Sequence, residues 1–137
     1  MIDFQTIDRP ILFADFEADT EIGTQTFTIS EEMFALWTKL YPADAACSPF
    51  MPPGMMAMVV MRGYMGAIPN RPPGNIHAEQ RIELLQLPNI GDTVKTAFRC
   101  SRREQRVGRK WVYLTSDTTD ETGNILFVGR MTSIWSQ

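Results

Sequence analysis

The chain has 137 residues, 44% hydrophobic and 21% charged, the size and makeup of one ordinary globular domain spanning residues 1–137, with length enough for a core of its own. Two distant cysteines, Cys47 and Cys100, and a single histidine, His77, exclude a disulfide scaffold and a zinc cluster, so no metal or other cofactor is expected and reduced thiols point to a cytoplasmic location. Net charge is −3, and so acidic a chain argues against nucleic acid as a partner.

The opening Met1-Ile2-Asp3-Phe4 lacks the basic start and apolar block of a secretory leader. An extended stretch at Ile11–Phe16 leads to a β-branched strand over Glu21–Ile29. Ser30 is a good helix N-cap, Glu31 and Glu32 suit the first turn, and Phe34, Leu36, Trp37 and Leu40 share a stripe that ends before Pro42. Residues 1–44 carry nine acids against two bases.

Pro52-Pro53-Gly54 opens a second helix over Met55–Gly66 that is apolar on nearly every face, a pattern that asks to be enclosed. Its five methionines between Met55 and Met65 suit either an irregular core or a ligand groove. The longest apolar run, Met51 to Met61, is interrupted by those prolines and falls far short of the ~20 residues that span a bilayer, so no membrane segment is expected.

From residue 75 the period changes to two. Ile76, Ala78, Gln80, Ile82 and Leu84 alternate with Asn75, His77, Glu79, Arg81 and Glu83, which places His77 away from the core. Strands follow at Thr93–Cys100, Trp111–Thr118 and Ile125–Trp135, joined by turns at Val107-Gly108-Arg109 and Asp120–Asn124. Arg99, Arg102, Arg103, Arg106, Arg109 and Lys110 crowd the first hairpin, either as a solvated tip or as a surface for phosphate or an acidic partner. The whole reads as an α+β domain, an antiparallel sheet wrapped around one apolar helix.

These segments in this order resemble the hotdog fold, and in detail the MaoC-like acyl-thioester hydratases and dehydratases, including the branch of N-terminal dehydratase domains and accessory subunits. The likeness rests on Phe13-Ala14-Asp15-Phe16, Phe27–Glu32, Ala46–Phe50 with Pro52–Met55, Ile76–Gln80, Gly91-Asp92, Gly108-Arg109-Lys110 and Asp120–Gly123, together covering about residues 11–134. It implies addition or removal of water across the double bond of a 2-enoyl thioester of coenzyme A or acyl carrier protein. It also implies a homodimer, or a heterodimer with a related hotdog subunit, paired through the strand that holds His77.

The family's active members carry an Asp and a His before the central helix and a backbone donor at its first turn. Here that stretch, Leu40–Ser48, is short and has no histidine. Asp44 stands either as the catalytic carboxylate or as a neighbouring acid without a chemical role. His77 is the other candidate base, or an interface histidine. Gly54 and Met55 match the helix entry that meets the thioester, Ser48 braces the turn into Pro49 beside it, and Arg102 and Arg103 are expected to meet the anionic handle. Two readings stay open, an enzyme and an accessory subunit that cradles the acyl chain while a partner supplies the Asp/His pair. A hotdog thioesterase ranks below both, because residues 55–70 hold no carboxylate.

Overall fold

The structure, a computed structural model, describes residues 3–137. Met1 and Ile2, the start of the segment read for a leader, lie outside the described residues. A 3₁₀ turn at Phe13–Asp15 precedes β1 (Thr20–Thr28), α1 (Glu31–Leu40), a 3₁₀ stretch at Pro42–Cys47 and α2 (Met55–Ala67). Four strands follow: β2 (Ile76–Leu84), β3 (Thr93–Arg106), β4 (Arg109–Thr119) and β5 (Ile125–Trp135). With β1 they form one antiparallel sheet in the order β1-β3-β4-β5-β2. Among the described residues no helix is long and apolar enough to cross a membrane.

Local chemistry sets the helix ends. The Ser30 hydroxyl accepts from the Met33 N–H at 3.1 Å, and Glu31 and Glu32 occupy the turn where the helix dipole favours carboxylates. Pro52 and Pro53 lack an N–H to leave unpaired, which suits them to the approach to α2.

α2 lies on the inner face of the sheet. Met55, Val59, Val60, Gly63, Tyr64 and Ala67 form its buried side. They meet a floor of alternating buried residues: Val94, Thr96, Phe98 and Cys100 on β3, and Val112, Leu114, Ser116 and Thr118 on β4. The closest approach is at Gly63, where a Cβ would stand 2.8 Å from the Phe98 ring. The expectation of a helix enclosed on every side is corrected here. Ala57 and Met65 are exposed and Met58 and Met61 half-buried, because the sheet of one chain wraps one side of the helix and leaves an apolar stripe on the other.

Two bulges reverse the faces that strict alternation assigns. On β2 the pairing slips between His77 and Glu79, so His77 stands opposite Ser133, on the inner face with Gln80 and Ile82. On β3 it slips between Cys100 and Arg102, which turns Arg102 outward opposite Tyr113 and Arg103 inward opposite Val112.

Candidate functional site

The first turn of α2 is built around one indole. Trp37 of α1 donates its Nε1–H to Asp44 Oδ2 at 2.7 Å, and Cζ2 of the same indole, two bonds from that nitrogen, lies 3.1 Å from where a Gly54 Cβ would be. Asp44 and Gly54 therefore both adjoin the same edge of one indole. Glycine is the residue that fits, since any side chain at 54 would press on Trp37. The Met55 N–H donates to the Pro52 carbonyl at 3.0 Å and the Met56 N–H to Pro53 at 3.1 Å. Among the described residues the Gly54 N–H has no acceptor, so it is one of the donors left at the positive end of the helix.

Of the other expected residues, Met55 is fully buried and contributes no free donor. Ser48 is exposed, its N–H reaching the Ala45 carbonyl at 3.5 Å and its peptide to Pro49 being cis. Cys47 is half-buried beside no histidine, and burial pushes the Cys100 thiol up to about 11, so neither is an activated nucleophile.

His77 is elsewhere. The reading that turned it away from the core is corrected by the bulge: it faces inward, lining a depression of about 280 Å³ with Met61, Tyr64, Arg71, Asn75 and Ser133. That places it beside the C-terminal half of α2, not beside Asp44. Burial raises the Tyr64 hydroxyl above its ordinary value, and the Arg71 guanidinium, 5.4 Å from the ring centre, opposes the shift.

Arg102 and Arg103 are not brought together. Arg103 lies 4.8 Å over the Phe13 ring and donates to the Phe13 carbonyl at 3.1 Å. Arg102 stacks 4.0 Å over Tyr113 on the outer face, where it lines a depression of about 430 Å³ with Glu79, Arg81 and Arg130. Beside it Arg106 covers Trp111 at 4.2 Å, and Glu104 accepts from the Tyr113 hydroxyl at 2.7 Å and Arg106 Nε at 2.8 Å. Much of the arginine cluster is thus held flat on aromatic rings. Trp37 was legible only as part of the α1 stripe, and Tyr64, Arg71 and Asn75 carried no signal linking them to His77. Among the described residues no three His, Cys, Asp or Glu gather as a metal site would need.

The sequence matches no family model and no curated protein. Its shape does match solved structures. The R-hydratase PhaJ1 of Pseudomonas aeruginosa superposes with a TM-score of 0.72 at 16% identity, over 93% of this chain and 87% of that one. A MaoC-like dehydratase of Rhodospirillum rubrum gives 0.76 at 12%, over 93% and 98%. The chain has the hotdog fold. The HadBC complex of Mycobacterium tuberculosis, a 3R-hydroxyacyl-ACP dehydratase, adds a TM-score of 0.66 at 12% identity, over 95% and 98%. At such identities the likeness concerns the hotdog architecture, α2 against a curved antiparallel sheet, and the site has to be read from this chain's own residues.

Proposed function

We propose that this hotdog chain is a MaoC-like acyl-thioester hydratase or dehydratase, acting on 2-enoyl and 3-hydroxyacyl thioesters of coenzyme A or acyl carrier protein as a dimer. The observation that carries the reading is that Asp44 and the free Gly54 N–H adjoin the same Trp37 indole. Hydration places a hydroxyl on C3 and a proton on C2 of the enoyl thioester, while negative charge grows on the thioester oxygen. A carboxylate that takes a proton from water and an N–H at a helix start that meets the developing oxyanion are what this reaction asks for. One Asp44 oxygen is anchored by the indole and the other is left for water. Arg102, which pairs with Glu104 at 3.4 Å and stacks on Tyr113, shares an outer depression with Arg81 and Arg130 that can meet an anionic handle, whereas Arg103 is tied to Phe13.

The test is turnover of a crotonyl thioester, followed by loss of its ultraviolet absorbance. Asp44→Asn is expected to lower the rate at least ~100-fold, the usual scale for removing a general base, while ligand binding persists. Unchanged turnover removes Asp44 from the mechanism. A second reading, the accessory subunit, is favoured by one specific observation, that His77 lies by Tyr64 and not by Asp44. It requires negligible activity from the purified chain and its appearance on mixing with a hotdog homologue that carries the missing histidine.

A further inference from the structure

The C-terminal end of α2 carries a cluster of polar groups that the reaction at Asp44 and Gly54 does not use. Tyr64 and Ser133, 7% and 3% exposed, stand with Arg71, Asn75 and His77 around the depression of about 280 Å³. Asn75 is the informative member. Its Oδ1 accepts from the Ser136 N–H at 2.9 Å, which fixes the amide, and its Nδ2 is then buried without a hydrogen-bond partner. A buried donor left unpaired is costly unless something from outside supplies the acceptor.

Arg71 says what charge that acceptor carries. Its Nη1 is spent on two carbonyls at the end of α2, Met65 at 3.1 Å and Ile68 at 2.6 Å. Nε and Nη2 have no partner among the described residues, Arg71 makes no salt bridge there, and no Asp or Glu lines the depression. Arg71 is also the sole arginine or lysine of the lining, so the site matches one negative charge, and a phosphate dianion would bring a second with nothing to meet it. A carboxylate has two oxygens for the guanidinium and lone pairs to spare for the Asn75 amide.

Met61, in the same lining, belongs to a line that leads back to the first turn. Gly54, Met58, Met61 and Met65 recur at spacings of four, three and four residues, which is one face of a helix, and it is the face the sheet leaves uncovered. From Gly54 the helix rises about 10 Å to Met61 and about 15 Å to Tyr64, at 1.5 Å per residue. A chain of roughly eight to twelve carbons covers that span. We propose that the depression is a carboxylate site, and that the carboxylate it takes is the far end of an acyl chain laid along Met58 and Met61 from Gly54. The second half rests on the hydratase reading and names its substrates: thioesters of dicarboxylic acids of medium length, in place of plain fatty acyl groups.

His77 is the single histidine of the chain, so its imidazole gives one set of signals in the nuclear magnetic resonance spectrum of the full protein. Hexanoate should shift those signals saturably, and hexanamide or inorganic phosphate at equal ionic strength should not. Asn75→Asp keeps the oxygen that holds Ser136 and puts a negative oxygen where the unpaired N–H stood. The fold is then kept, which the melting temperature checks, and hexanoate should bind at least ~10-fold more weakly. A wild type that hexanoate leaves unshifted, hexanamide or phosphate as effective as hexanoate, or a variant that binds as the wild type does overturns the carboxylate site. Turnover tests the second half. A 2-enoyl thioester of about ten carbons that ends in a carboxylate should exceed the methyl-ended thioester of equal length at least ~10-fold in kcat/KM, and Asn75→Asp should erase the preference. Equal values in the wild type overturn the acyl half. A chain that binds hexanoate yet turns over no enoyl thioester sinks the hydratase reading, and the acyl half with it, while the carboxylate site stands.

Discussion

Trp37 does two things that its place in the stripe of α1 does not require. Its N–H fixes Asp44, and its ring closes on Gly54. A phenylalanine would keep the ring packing and lose the donor. Trp37→Phe is therefore expected to lower stability by about 1 kcal/mol, the usual worth of one hydrogen bond to a partly exposed group. Chemical denaturation measures the change, and turnover should fall with it, because the carboxylate is then free to turn from the helix start. A variant as stable and as active as the wild type would mean that the indole does not position Asp44.

At the scale of elements, the seating of α2 on the sheet turns on two glycines with opposite surroundings. At Gly63 an added methyl meets Phe98, a fully buried ring with nowhere to go, whereas at Gly66 it meets the tip of the Gln25 side chain, which can swing aside. Replacing glycine in a helix gains about 1 kcal/mol of intrinsic helix preference, and forcing a methyl into a packed core costs about 1–3 kcal/mol. Gly63→Ala should therefore destabilise and Gly66→Ala should be neutral or stabilising, a difference in sign that thermal melting reads directly. The same elements show what the sequence made legible. Ser30, the Pro-Pro-Gly entry and the alternation along β3 and β4 are local signals, and they placed α1, α2 and the sheet. The faces of His77 and Arg102 depend on bulges at Ala78 and Ser101, where one extra backbone residue leaves no mark in side-chain type. Nor does an apolar residue reveal whether the sheet covers it, and the outer stripe of α2 was misread for that reason.

Over the whole molecule, three carboxyls held below their ordinary range set the response to acid. Asp15 is lowered first by Arg9, whose two nitrogens donate to it at 2.7 and 2.9 Å, and by the Leu12 N–H at 2.8 Å. Glu104 is lowered by the Tyr113 hydroxyl and then by Arg106, and Asp120 by the Thr122 hydroxyl together with the Asn124 and Thr122 N–H groups. Each binds its proton less readily folded than unfolded. The stability they contribute is complete above the unfolded values, near pH 4, and is lost as pH falls through the lower folded ones. The melting temperature should thus be level above about pH 5 and fall progressively below about pH 4. Salt separates the causes. The hold on Asp15 comes from an arginine that is 44% exposed, so the effect of Asp15→Asn should shrink as ionic strength rises. The partners of Asp120 are uncharged, so the flattening of the acid limb by Asp120→Asn should be the same at low and high salt. A melting temperature that rises toward acid, or equal salt dependence in the two variants, would show that other groups govern the acid limb.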